Sequence, residues 1–145
     1  MEISLKIINK TNWEECIKLK VDETQTSFVA TNAYSLLQAN YEKNLYPMGI
    51  YVEDTMVGFT MYHYDTEEDM WGMCRLMVDE KYQKKGIGKA AILKLLELIR
   101  DRYGNVEFYT SVEPENNVAL KLYESLGFVN TNRMVDEELL LTMKI

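Results

Sequence analysis

Two cysteines, two prolines and one histidine are all that this chain of 145 residues holds of those types. Cys16 and Cys74 stand far apart, with no His or Cys neighbour at ligand spacing. That excludes a disulfide framework and gives no sign of a metal site, so two reduced thiols in a cytoplasmic protein is the simple reading. No Pro-, Gly- or Ser-rich linker interrupts the chain, and its length suits one domain spanning 1–145. No apolar run approaches the ~20 residues of a membrane span, and Met1 to Ile8 carries charges instead of a continuous apolar core. Basic residues are outnumbered, 16 Lys and Arg against 23 Asp and Glu, for a net charge of -7. Nonspecific nucleic-acid binding and anionic membranes both need a field of Lys and Arg, so neither partner is expected. Net charge alone says little more, since a modest excess also keeps a small protein soluble.

The distribution of charge is more informative than its sum. Acids gather at Asp22-Glu23, Glu53-Asp54, Asp65 to Asp69 and Asp136 to Glu138, whereas lysines gather around Gln83. An acidic shell with one basic loop suggests two ligands of opposite charge.

Apolar spacing outlines the elements. Ile3 to Ile8 reads as a strand, and Asn12 can cap a short helix through Lys20. Thr24 to Thr31 has no clean period and reads as a loop. Asn32 can cap a second helix to about Asn44, ended by Pro47. Met48 to Val52, Met56 to Tyr64 and Met70 to Val78 follow as strands on short links, an antiparallel meander. Ile87, Ala91, Leu95, Leu98 and Ile99 then form one face of a helix, widened by Ile92 and Leu96. Val106 to Val112 reads as a strand parallel to Met70 to Val78, because a helix intervenes. Asn116 can cap a helix over Val118 to Leu126, with Gly127 closing it. Phe128 to Asn132 and Glu138 to Met143 complete the order, a mixed sheet of the α/β or α+β kind.

Between the Met70 to Val78 strand and its helix lies Asp79 to Lys89, with four lysines in nine positions and Gly86-Ile87-Gly88 at the helix start. Glycine lets the main chain approach a ligand closely, and a helix N-terminus attracts anions. A Walker-type loop would need Gly at position 83 and Ser or Thr at position 90, where the chain has Gln83 and Ala90. Gly86-x-Gly88-x-x-Ala91 matches the letters of a dinucleotide fingerprint, and Glu113 ends the next strand. That fold places its glycines directly after the strand, however, and seven residues separate Val78 from Gly86.

Two further motifs change the weight of the loop. Gln83-x-x-Gly86-x-Gly88 after an apolar-Val-Asp strand end, with Asn116-Asn117-x-Ala119, Tyr123 and Gly127-Phe128 downstream, resembles the GNAT superfamily of acetyl-CoA-dependent N-acetyltransferases. The likeness covers roughly residues 50 to 143. Weaker patterns, Glu23 to Ala30 with Ser35-Leu36, Val57 to Tyr62 and Arg75 to Val78, are similar to bacterial spermidine/spermine (diamine) acetyltransferases.

The resemblance implies the GNAT fold, a central mixed and mostly antiparallel sheet of about seven strands flanked by about four helices. It implies acetyl-CoA as cosubstrate, no metal, a small-molecule amine such as a polyamine as acceptor, and a homodimer. Leu76, Met77 and Val78 would lie on a bulged strand splayed from the Val106 strand, with the Met77 or Val78 N-H near the acetyl oxygen. Gln83, Lys84, Lys85, Gly86, Ile87, Gly88, Lys89 and Asn116 would complete the cofactor site. Tyr123 would protonate the leaving sulfur, although a tyrosine at that helical spacing, taken alone, is more often core. A carboxylate should receive the amine proton. Glu113, Glu53, Asp54, Asp65 and the Glu67 to Asp69 group are all possible, and each is otherwise an ordinary surface acid. Glu23, Glu53 and Asp65 would attract the cation, with Phe28, Tyr62 and Tyr64 packing its methylenes. His63 falls one step off that strand face and reads as ordinary. An acceptor such as an aminoglycoside or an amino acid, or a regulatory module that binds acetyl-CoA without catalysis, stays open.

Overall fold

Met56 to Tyr62 is an unbroken run of buried residues in the strand Thr55–Asp65, the mark of a strand covered on both faces. In the computed structural model, which describes residues 2–21 and 30–145, this strand lies inside a seven-stranded sheet. The strands are β1 (Ile3–Ile7), β2 (Leu45–Val52), β3 (Thr55–Asp65), β4 (Met70–Val78), β5 (Glu107–Val112), β6 (Val129–Val135) and β7 (Glu138–Lys144). Their spatial order is β1-β2-β3-β4-β5-β7-β6, and every pairing is antiparallel except β4 with β5. The described helices are α1 (Trp13–Ile17), α2 (Asn32–Tyr41), α3 (Ile87–Tyr103) and α4 (Asn117–Ser125).

The sheet separates two apolar layers. On one face Tyr62, Met73, Phe108 and Leu141 pack with Leu95 and Ile99 of α3 and with Tyr123 of α4. On the other, Phe59, Met61 and Met77 pack with Cys16 of α1 and with Leu36 and Ala39 of α2. Burying each such side chain contributes roughly 1.5–3 kcal/mol. The α3 stripe read from the sequence is the buried one: Ile87, Ala91, Ile92, Leu95, Leu96 and Ile99.

Differences from the sequence reading sit at element ends. Pro47 lies within β2 rather than ending α2. Its carbonyl accepts the Ile8 N-H just beyond the end of β1, and the return bond to the Ile8 carbonyl, which a proline cannot make, is missing where the β1–β2 ladder stops. Thr31, not Asn32, caps α2 by accepting from the Tyr34 N-H. Asn32 is buried instead, donating from Nδ2 to the Cys16 carbonyl at 2.9 Å. β6 runs on to Val135, past a register shift between Asn130 and Met134.

Candidate active site

The parallel pairing of β4 with β5 covers only Trp71 to Met73 against Phe108 to Thr110. Beyond it the strands part, so among the described residues Arg75 to Val78 pairs on the β3 side only. The cause is local. The register against β3 slips where Met61 meets Arg75 but Tyr62 meets Met73, leaving Cys74 as the extra residue of a bulge. This bulge lies upstream of Leu76 to Val78, where the sequence reading put it. Thr110 closes the last shared rung by donating its hydroxyl to the Met73 carbonyl at 3.0 Å.

Alternation along the strand decides which amides line the gap. The Asp79 N-H donates to the Val57 carbonyl at 2.8 Å, so Met77 also turns its main-chain groups toward β3, while Leu76 and Val78 turn theirs into the gap. The Val78 carbonyl there accepts from Gln83 Nε2 at 2.9 Å. Of the two amides expected near an acetyl oxygen, only that of Val78 turns into the gap.

Asp79, only 4 % exposed, anchors the loop. Its carboxylate accepts from the Lys81 and Lys20 N-H groups, each at 3.0 Å, tying the loop to the segment after α1. A 3-10 turn over Glu80–Tyr82 follows, and Lys84 and Gly86 adopt positive φ of 64° and 78°. Gly86 caps α3 with no side-chain hydrogen bond, and its carbonyl accepts from the Ala90 N-H. The Ile87, Gly88 and Lys89 amides therefore head a 17-residue helix with no intrahelical acceptor. The Ile87 side chain is buried, whereas those of Lys84, Lys85 and Lys89 are exposed. A Cβ on Gly88 would meet only Val78 Cγ2, at 3.9 Å, so protein packing does not require glycine there.

Tyr123 rises from α4 to the base of the gap. It is 8 % exposed and stacks edge-on with Phe128. Burial pushes its phenol up to about 12, with the Thr110 side chain pulling the other way and Glu138 adding to the rise. Asn116 caps α4 by accepting the Ala119 N-H at 3.2 Å. Glu113 stands just past the end of β5, half-buried, its carbonyl accepting the Asn116 N-H.

The residues expected around the amine are dispersed. Glu23 and Phe28 lie outside the described residues. Glu53 occupies the β2–β3 turn and Asp65 the far end of β3, roughly 30 Å apart along a strand, so the two do not share a site. Tyr62 is a further correction. Even residues of β3 face α3 here, and Tyr62 is 1 % exposed, with its hydroxyl accepting from Arg102 at 3.0 Å. Burial and Tyr103 push its phenol up to about 12, so it is core and not a wall for methylenes. Tyr64 hydrogen-bonds Asp69 on the surface.

His63, passed over in the sequence, lies on the α2 face beside Asp65. Tyr109 reaches across β4 to both: its hydroxyl is 2.6 Å from Asp65 Oδ2 and 2.9 Å from His63 Nε2. The crossing needs a bare strand, and a Cβ on Gly72 would lie 2.6 Å from the Tyr109 ring. Burial acts to raise the Asp65 carboxyl, but the Tyr109 hydroxyl, the Glu68 and Glu67 amides and His63 outweigh it and hold it low. Burial lowers His63, with Asp65 opposing and Arg75 adding to the effect. No sequence period announces this group, because its members lie on separate strands. Among the described residues no cluster of His, Cys, Asp or Glu could hold a metal, and no helix is long and apolar enough to cross a membrane.

A parallel pair opened by a bulge, beside an amide-headed helix, is the architecture of an acyltransferase, and residues 11–128 match the Acetyltransferase (GNAT) family. The chain belongs to that family and is an N-acetyltransferase of the GNAT kind. It is 30% identical over 135 residues to the spermine/spermidine N(1)-acetyltransferase of Bacillus subtilis (strain 168), covering 88% of each chain. In structure it resembles the PaiA N-acetyltransferase of Thermoplasma acidophilum in complex with coenzyme A, with a TM-score of 0.72, 16% identity and full coverage of both chains. The aminoglycoside acetyltransferase AAC(6')-Ib with paromomycin and acetyl-CoA gives a TM-score of 0.82 at 14% identity, over 99% of this chain and 94% of that one.

Proposed function

We propose that this enzyme moves an acetyl group from acetyl-CoA directly to a primary amine of a polyamine, either spermidine, spermine or a diamine. The observation that carries the reading is the open edge of β4, with Leu76 and Val78 amides turned into the gap and the α3 amides at its outer end. Acetyl-CoA supplies an activated thioester when bound. Of the two N-H groups turned into the gap, that of Leu76 lies nearer the Tyr123 end and can donate to the acetyl oxygen as negative charge develops on it. The Leu76 main-chain groups and the Val78 N-H can pair with an extended pantetheine arm as an added strand would. Ile87, Gly88 and Lys89 amides, with Lys84, Lys85 and Lys89 around them, suit a pyrophosphate. The free side-chain Nδ2 of the Asn116 cap faces no described partner and can donate to the arm.

As the nitrogen–carbon bond forms and the carbon–sulfur bond breaks, the amine gives up one proton and the sulfur takes one from Tyr123. A phenol held near 12 stays protonated at every physiological pH, so the donor is always loaded. Support for a polyamine comes from the Bacillus subtilis relative and from the acidic surface. The test is thiol release from acetyl-CoA across an amine panel. Spermidine or spermine should give the highest kcat/KM; a preference for an aminoglycoside or an amino acid overturns the polyamine assignment, and tight acetyl-CoA binding without turnover on any amine overturns catalysis.

A further inference from the structure

We infer that His63, held in one tautomer by Tyr109 and Asp65, is the base that takes the proton from the acceptor amine. The inference rests on the acetyl-transfer reading above and adds a residue to it. A tyrosine hydroxyl has one proton, and the 2.6 Å contact with an ionised carboxylate directs it to Asp65 Oδ2. In the 2.9 Å contact with His63 the Tyr109 oxygen is therefore the acceptor, so Nε2 carries the hydrogen and Nδ1 keeps its lone pair. Every fully buried side-chain nitrogen or oxygen among the described residues has a partner. Nδ1 has none there, so it reaches solvent.

Placement supports the role. Gly72 pairs with both His63 and Tyr109, one rung before Met73 and Thr110, where β4 and β5 last touch. His63 is thus one rung, roughly 3.3 Å of strand rise, short of the base of the gap and one strand to its side, on the face opposite Tyr123. Tyr123 and His63 would then approach the thioester end of the gap from opposite faces of the sheet, and the amine proton would reach His63 through water. The groups acting on the ring are Asp65 on its own strand, Arg75 from β4 and Tyr109 from β5, with Cys74 and Glu68 acting on the Tyr109 hydroxyl. Arg75 is held away by α2, through Ser35 Oγ at 3.1 Å and Gln38 Oε1 at 2.9 Å. Burial and Arg75 keep the imidazole neutral, ready to accept. On transfer the amine proton moves to Nδ1, and the imidazolium is balanced by Asp65 through the Tyr109 hydroxyl. Tyr123 separately supplies the sulfur, and solvent exchange resets both groups.

The test is kcat/KM against pH for the wild type, His63→Gln, His63→Ala, Asp65→Asn and Glu113→Gln, with acetyl-CoA affinity measured on each as the check of folding. Whichever amine the panel ranks first is used, so a failed polyamine assignment does not touch the outcome. We expect His63→Gln to lower kcat by about a hundredfold or more and to abolish the acid limb, with acetyl-CoA affinity kept. Added imidazole should restore activity to His63→Ala. Asp65→Asn should move the acid limb to lower pH, because Asp65 raises the His63 pKa. Glu113→Gln should keep the limb. Wild-type turnover and an intact limb in His63→Gln, or loss of the limb in Glu113→Gln instead, would overturn the assignment.

Discussion

β4 behaves as two strands laid end to end. Over Trp71 to Met73 it has partners on both sides, the Thr110 hydroxyl seals its last rung, and it is ordinary core. Over Arg75 to Val78 it keeps only β3 among the described residues, and the Leu76 and Val78 amides look into a gap. One extra residue at Cys74 makes the difference. A single bulge can thus convert a structural strand into a binding edge without changing which side chains fill the core, since Leu76, Met77 and Val78 all still pack in apolar clusters.

The sharpest way to break this contrast is at the base of the gap. Tyr123→Phe should lower kcat by about 10²–10³-fold with little change in acetyl-CoA KM, because a general acid typically supplies that range. Steady-state kinetics that left turnover unchanged would remove Tyr123 from the chemistry. The paired half should fail differently: Gly72→Ala puts a carbon 2.6 Å from the Tyr109 ring, and thermal unfolding should show a loss of about 1–3 kcal/mol from overpacking.

Alkaline unfolding tests the dry faces. Burial pushes Cys16, Tyr62 and Tyr123 up to about 12 and Cys74 up to about 11, with lesser charge and hydrogen-bond effects behind it. A raised folded pKa favours the protonated native state, so this stability is full below the unfolded values, near 8.5 for a thiol and about 10 for a phenol. It should fall as pH climbs through 11–12, and denaturant midpoints from pH 8 to 11.5 would show it. A midpoint flat across that range would count against four buried neutral groups.

At the outer end of the gap the two loop glycines should separate. Gly88→Val, whose Cβ would make only an ordinary contact with Val78 at 3.9 Å, should keep the fold but raise acetyl-CoA KM by about tenfold, about 1.4 kcal/mol if a phosphate-binding amide is shielded. Gly86→Ala should instead cost about 1–2 kcal/mol of stability, since φ is 78° there. Unaltered KM in Gly88→Val would unseat the α3 amides as the anion site. The smallest effect belongs to Arg133, whose two bonds to Glu68 at 2.8 Å lie on the surface. Arg133→Ala should shift stability by at most about 1 kcal/mol, and a larger shift in melting would show that the pair braces the β3–β4 turn.

Local chemistry is what the sequence by itself determined. The α3 stripe, the β4 limits Met70 to Val78, the Asn116 cap and the glycine-bearing loop depend on neighbours within a few positions, so they are legible in one dimension. The tertiary structure decided what depends on register and face. A bulge reverses which side of a strand its residues occupy, so only pairing could show Val78, rather than Met77, turning its amide into the gap, or Tyr62 facing α3. Glu53 and Asp65 looked alike as acids until β3 held them at opposite ends. His63 looked ordinary because its partner Tyr109 is 46 residues away, brought to it across the bare backbone of Gly72 by the one parallel pairing in the sheet.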